Sequence, residues 1–173
     1  MSTPARARRP VVAVCGPRDP SPEVAAAAFT VGGLLIARGA RLATGGLGGA
    51  MEAASRGART AAAWVDGDVI GVLPGADASS ANPFVDIAVP TGAGLGRNLV
   101  LVQMADAVIA IGGGAGTLSE IALAWQLHKR IVVLDLGEGW SSELGARALD
   151  GRRTDTLLRA TTASEAAALA LGR

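Results

Sequence analysis

Residues 107–120 read AVIAIGGGAGTLSE. The apolar run Ala107–Ile111, closed by turn-formers, predicts a buried strand. Glycines then turn the chain, and Thr117-Leu118-Ser119-Glu120 leads into a helix running to about His128. A strand that empties through glycines into a helix N-terminus is the building unit of open parallel sheets. The unit recurs along the chain. Val11–Cys15 (VVAVC) ends at Gly16-Pro17-Arg18, and Ser21-Pro22-Glu23 opens a helix that Gly39 stops. Arg41–Thr44 runs into Gly45-Gly46-Leu47-Gly48-Gly49 and a helix over Ala50–Ala63. Further strands are expected at Asp68–Leu73, Asp86–Val89, Ile131–Leu134 and, at an edge, Leu157–Ala160. Helices are expected over Leu95–Ala105 and Ala163–Leu171, the last with Thr162 and Glu165 at capping-box spacing. Residues 76–83 read as a surface loop, and 137–151 carry only the suggestion of a short helix. The fold class is therefore α/β, a single Rossmann-like three-layer domain with a parallel sheet over residues 10–173, behind a flexible tail at 1–9.

Composition narrows the chemistry. The chain has 173 residues, 50% of them hydrophobic, enough for one well-packed domain. Lys+Arg 16 against Asp+Glu 15, with 3% aromatics and no Tyr, argues against nucleic acid as a partner. No stretch is long and apolar enough for a membrane span, and the basic start lacks a signal-peptide core because Gly16-Pro17 cuts the apolar run. A cytoplasmic location is the expectation. One Cys and one His argue against a disulfide framework, a metal cluster and a Ser-His-Asp triad. Lys129, the only Lys, follows a helix end, which excludes a Walker A loop and reads as a charge favourable to that helix's dipole. The first turn lacks Gly-x-Gly-x-x-Gly, and no acidic residue ends the second strand, so NAD or FAD is not expected.

What remains is a phosphate cradle without a lysine. Gly112, Gly113, Gly114 and Gly116 allow close approach of backbone to an anion at a helix N-terminus, and Thr117 adds a hydroxyl. The alternative is a tight strand–helix turn, with Glu120 reaching back to cap its own helix. Thr44, Gly45, Gly46, Gly48 and Gly49 form a second cradle or a close helix–sheet contact. Arg97 lies at a helix start, where a cation opposes the dipole. It therefore pairs with Glu120, meets a ligand phosphate, or is merely solvated. Arg18 carries the same alternatives. Cys15 reads as a small buried strand-end residue, and Trp125 and His128 as packing or interface.

These residues resemble a known superfamily. Gly112–Glu120 is similar to the Pro-Gly-Gly-x-Gly-Thr-x-x-Glu signature of the LONELY GUY (LOG) superfamily, often mislabelled lysine decarboxylase. Thr44–Glu52 (TGGLGGAME, with Met51 and Glu52) resembles its upstream glycine segment. Ala81-Asn82-Pro83, Thr91-Gly92 and Gly96-Arg97-Asn98 resemble the branch that includes molybdenum cofactor carrier proteins. The resemblance implies a Rossmann-like homodimer or higher homo-oligomer that binds a small phosphorylated ligand. In the LOG enzymes the reaction is hydrolysis of a nucleoside 5′-monophosphate to base and ribose 5-phosphate. It implies Arg97 and Glu120 as the catalytic pair. Gly16, Arg18, the Thr44–Glu52 segment, Asn82, Thr91, Gly92, Asn98 and Gly112–Thr117 would bind the ligand. No metal and no resident cofactor are implied; the ligand is a nucleoside monophosphate or molybdenum cofactor. Gly112 stands where LOG enzymes have Pro, and Asn98 where they tend to have Lys. The alternative to hydrolysis is therefore a carrier or sensor of a phosphorylated cofactor.

Overall fold

The computed structural model describes residues 8–173. Seven strands form one parallel sheet: β1 (Val11–Cys15), β2 (Arg41–Thr44), β3 (Val69–Leu73), β4 (Ile87–Pro90), β5 (Ala107–Ile111), β6 (Arg130–Leu134) and β7 (Leu158–Ala160), in the order β4-β3-β2-β1-β5-β6-β7. Alternate side chains divide the core into two layers, as the period of two in a strand requires. Val12, Val14, Ile109, Ile111, Val132 and Leu134 pack beneath α1 (Pro22–Ala37), α2 (Ala50–Thr60) and α6 (Ala163–Ala170). Val11, Ala13, Cys15, Val108, Ala110 and Val133 face α3 (Arg97–Met104) and α4 (Ala115–Gln126). The fold class read from the sequence is the one observed.

The strand order reverses between β1 and β5, whose residues Cys15 and Ala110 are paired. In open α/β sheets the crevice beyond the carboxyl ends at such a switch point is where ligands bind. Each helix on the rear face is fixed by local chemistry. Ser21 caps α1 by accepting from the Val24 N–H at 3.1 Å, a contact typically worth about 1 kcal/mol. Gly32 of α1 lies so close to the Ala54 carbonyl of α2 that a methyl group there would overlap it, and Gly57 stands the same way to Phe29. Close backbone approach at Gly32 and Gly57 thus engages α1 with α2.

Several boundaries move. The helix expected from Leu95 is a 3₁₀ turn at Gly94–Gly96 followed by α3, and the one expected to Ala63 stops at Thr60. The short helix in 137–151 is α5 (Gly139–Glu143). Lys129 does not serve its own helix: its Nζ donates to Gln103 O at 2.9 Å and Ala105 O at 2.8 Å, closing the end of α3. The capping box at α6 is half formed as expected. Thr162 accepts from the Glu165 N–H, while Glu165 reaches Thr161 rather than Thr162. The tail expected at 1–9 lies, through residue 7, outside the described residues. Arg9 is held, donating to Ala40 O at 2.8 Å and to the buried Asp68 at 2.5 Å. Among the described residues no helix is long and apolar enough to cross a membrane.

Candidate functional site

A cleft opens at the switch point. Its inner part, about 160 Å³, has Cys15, Gly45, Arg97, Thr117 and Glu120 among its walls. A more open outer part, about 350 Å³, lies between Gly16–Asp19 and Gly114–Thr117. The inner part alone is below the ~300–1,000 Å³ usual for a drug-sized ligand. A ligand of nucleotide size therefore has to occupy both. The two parts share Gly16, Arg18, Gly116 and Thr117.

The outer part is built for an anion. α4 starts at Ala115 after Gly114, which supplies no side-chain cap. The first N–H groups of a helix have no partner within it, and the dipole adds partial positive charge there. Gly112 and Gly113 sit at φ 59° and 92°, a left-handed conformation that favours glycine. The side chain of Thr117 packs against Gly113, and Gly114 and Gly116 face open space. Glu120 does not cap its own helix. It points the other way, into the core side of the cleft.

Glu120 and Arg97 define the inner part. Glu120 is 5% exposed. Arg97 Nη1 lies 3.9 Å from Glu120 Oε1, and the two side chains are 13% and 7% exposed. At that distance the pair is coulombic, without a hydrogen bond. Arg97 Nη1 is buried and has no hydrogen-bond partner. Of the alternatives for Arg97, solvation is thus excluded, while pairing with Glu120 leaves a donor over. Burial pushes the Glu120 carboxyl above its ordinary range, while Arg97 and the Cys15 thiol pull it down. Burial, and next the Glu120 charge, push the Cys15 thiol well above its own range. Cys15 is buried as expected, and it also forms part of the cleft wall.

The remaining sequence candidates fall into two groups. Gly16, Arg18, Gly45, Met51, Asn98, Gly114, Gly116 and Thr117 border the cleft. Thr44, Gly46, Gly48, Gly49, Glu52, Asn82, Thr91, Gly92, Gly112 and Gly113 stand behind or away from its walls. Asn82 Nδ2 donates to Gly46 O and Leu47 O, pinning the second glycine loop. Thr44 Oγ1 accepts from Gly46 N within that loop. Thr91 Oγ1 donates to Leu73 O at 2.7 Å. Asn98 Nδ2 donates to Ser119 Oγ, which donates to Gly116 O, tying α3 to the start of α4. Gly45 has a specific use, because a methyl group there would overlap the Arg97 guanidinium.

One supporting residue has no local signal in the sequence. Ser141 in α5 is fully buried; its Oγ accepts from Gly112 N at 2.7 Å and donates to Leu134 O at 2.9 Å. The Trp140 N–H donates to Gly113 O as well. The stretch least readable in sequence therefore supports the glycine loop from behind. Among the described residues no group of three or more His, Cys, Asp or Glu is placed to hold a metal ion.

Known proteins are similar to this chain in sequence and fold. The family model described as the SLOG cluster4 family matches residues 9–167. An uncharacterized protein of Archaeoglobus fulgidus is 39% identical over 123 residues, spanning 71% of this chain and 78% of that one. The solved molybdenum cofactor binding protein of Rippkaea orientalis is similar at 35% identity and TM-score 0.79, over 92% of this chain and 94% of that one. The molybdenum cofactor carrier protein of Chlamydomonas reinhardtii is similar at 30% identity and TM-score 0.79, over 95% and 100%.

Proposed function

The chain belongs to the SLOG cluster4 family, and from that premise we propose that it is a cytoplasmic carrier of a phosphorylated small molecule of the molybdenum cofactor class. The observation that carries this reading is Arg97, a wall of the cleft whose buried Nη1 has no partner, beside the uncapped start of α4. An unpartnered buried donor beside a helix N-terminus is balanced when an anionic ligand arrives. The phosphate would lie against Gly114–Thr117, and the rest of the ligand would reach Arg97 and Glu120. The likeness to molybdenum cofactor proteins at 30–35% identity supports the ligand class.

A second reading is favoured by Glu120. A carboxyl that burial raises above its ordinary range keeps its proton more readily than an exposed one, as a general acid requires. In a nucleoside 5′-monophosphate it could contact the ribose, activate water and offset oxocarbenium-like charge as the base–ribose bond breaks. Incubation with a panel of nucleoside monophosphates decides between the two. Carriage predicts no free base; base release that Glu120→Gln abolishes would replace carriage by hydrolysis.

We also propose that the chain pairs with a second copy through α3 and α4. Leu95, Leu99 and Val100 are 88%, 46% and 42% exposed. Leu95 lines a largely apolar groove of about 550 Å³ bounded by Ala115, Ala122 and Leu123, and Leu99 and Val100 lie on α3, whose Asn98 also borders it. The groove shares Leu95, Asn98 and Gly116 with the cleft, so a second copy would close the site. Helix α1 is engaged with α2, whereas the groove between α3 and α4 is open. Light scattering should give twice the chain mass, and Leu99→Glu with Val100→Asp should give the single mass. A monomeric wild type would contradict this.

A further inference from the structure

A second cavity, of about 550 Å³, lies at the other end of the sheet, with His128, Arg130, Arg153 and Asp155 in its walls. Arg130 begins β6 and Leu158 begins β7. The cavity therefore sits at the amino ends of parallel strands, whereas the cleft lies beyond their carboxyl ends. The two share no residue. Part of the wall is fixed and electrically balanced. Arg153 lies over the Trp125 ring at 4.5 Å and donates Nε and Nη2 to the two oxygens of Asp155 at 2.7 and 2.5 Å. Its Nη1 goes to Lys129 O at 2.8 Å. The Arg130 charge is not balanced in this way. Arg130 donates Nη1 to Leu169 O at 3.2 Å. Among the described residues neither it nor His128 enters an ion pair.

His128 is held there against its backbone preference. It follows α4 at φ 55°. Its N–H donates to Trp125 O and the Lys129 N–H to Ala124 O, the paired helix closure that glycine usually provides. Glycine takes this left-handed conformation freely and histidine does not. The residue is exposed, so packing does not offset the strain. We propose that this cavity is a second ligand site, for a small molecule bearing a phosphate or sulfate group, bound through His128 and Arg130. The imidazole donates a ring N–H in either protonation state, and the guanidinium donates with full charge. The hydroxyls of Thr154 and Thr156 border the same space. Donors of this kind match a tetrahedral oxyanion, which accepts from several directions. The cavity is larger than the anion and falls in the range of small-molecule sites, about 300–1,000 Å³. Ile131 and Leu158 offer apolar surface to the rest of the molecule. The site goes beyond the cleft and does not depend on what the cleft binds.

His128 is the only histidine in the chain, so its ring resonances report this site alone. The test follows them by NMR at constant pH as inorganic phosphate or, in parallel, inorganic sulfate is added. Sodium chloride at matched ionic strength is the control. At least one of the two oxyanions should move the resonances saturably, and the stronger of them names the group preferred. No movement, or the same movement with chloride, would overturn the proposal. Arg130→Gln should weaken the response about tenfold, with a thermal melt to establish that the variant is folded. An undiminished response in that protein would also overturn it. Arg97→Ala should respond as wild type does, which separates this site from the cleft; a lost response there would show that the two are one. His128→Gly should melt about 2 °C above wild type, because the strain is relieved. A lower melting temperature would show that His128 serves the fold and would overturn its assignment to the site.

Discussion

Arg97→Ala should weaken binding of the phosphorylated ligand by about 100-fold while the protein stays folded. The magnitude follows from removing a charged donor to an anion inside a desolvated site. The fold tolerates the loss because Arg97 makes no hydrogen bond to Glu120, only a contact at 3.9 Å. Glu120, left without a cation, can take up a proton rather than stay buried and charged. Gly45→Ala should reach nearly the same endpoint from the other side. The added methyl would occupy the place of the guanidinium, and a flexible side-chain end moves more easily than backbone. Arg97 would then leave the cleft, with little loss of stability. The double variant should bind no more weakly than Arg97→Ala alone, since both changes remove one interaction. Calorimetric titration of the four proteins measures this. Wild-type affinity in Gly45→Ala would show that the guanidinium is not seated where binding needs it.

Glu120→Gln should make the protein more stable at pH 7–8 and should abolish whatever proton chemistry the site performs. Burial is the leading cause of the raised Glu120 value, ahead of the opposing pull of Arg97. A carboxyl whose folded value lies above its ordinary 4.5 binds protons more tightly in the folded state. Its contribution is therefore fully present below about pH 4.5 and is lost as pH rises through the raised folded value. Above that window wild type carries an unfavourable buried charge, which glutamine removes. The melting temperature of Glu120→Gln should exceed that of wild type at pH 8, and the gap should close as pH falls toward 4.5. A lower melting temperature for the variant at pH 8 would mean that Arg97 and Cys15 compensate the carboxylate fully. A residue whose removal stabilises the fold is held for function.

The parallel sheet was legible because its strands are short, continuous and apolar, and glycine closes each of the deciding ones. VVAVC and AVIAI need both faces buried, and only a layer on each side provides that. The glycine loops were legible for the same reason: three successive glycines exceed what a turn requires. The orientation of Glu120 was not legible. Thr-x-x-Glu spacing suits a capping box as well as it suits a buried carboxylate. Only the position of α4 over β5 and β6, facing Arg97 of α3, separates the two. Lys129 misled because a helix end and the end of a neighbouring helix look alike in one dimension. Ser141 lay hidden in a polar stretch with no period, and its use depends on a contact between residues 112 and 141. Cys15 was read as buried, which it is; that it walls the same cleft as Glu120 depends on how the sheet and α4 pack.

The central claim is that the cleft beyond β1 and β5 holds a phosphorylated small molecule. Native mass spectrometry of the protein after loading with molybdenum cofactor, beside the Arg97→Ala protein treated alike, tests it most directly. The predicted result is a retained pterin phosphate on wild type that is absent from Arg97→Ala. Ligand-free wild type, under loading with molybdenum cofactor and with nucleoside monophosphates alike, would contradict the claim.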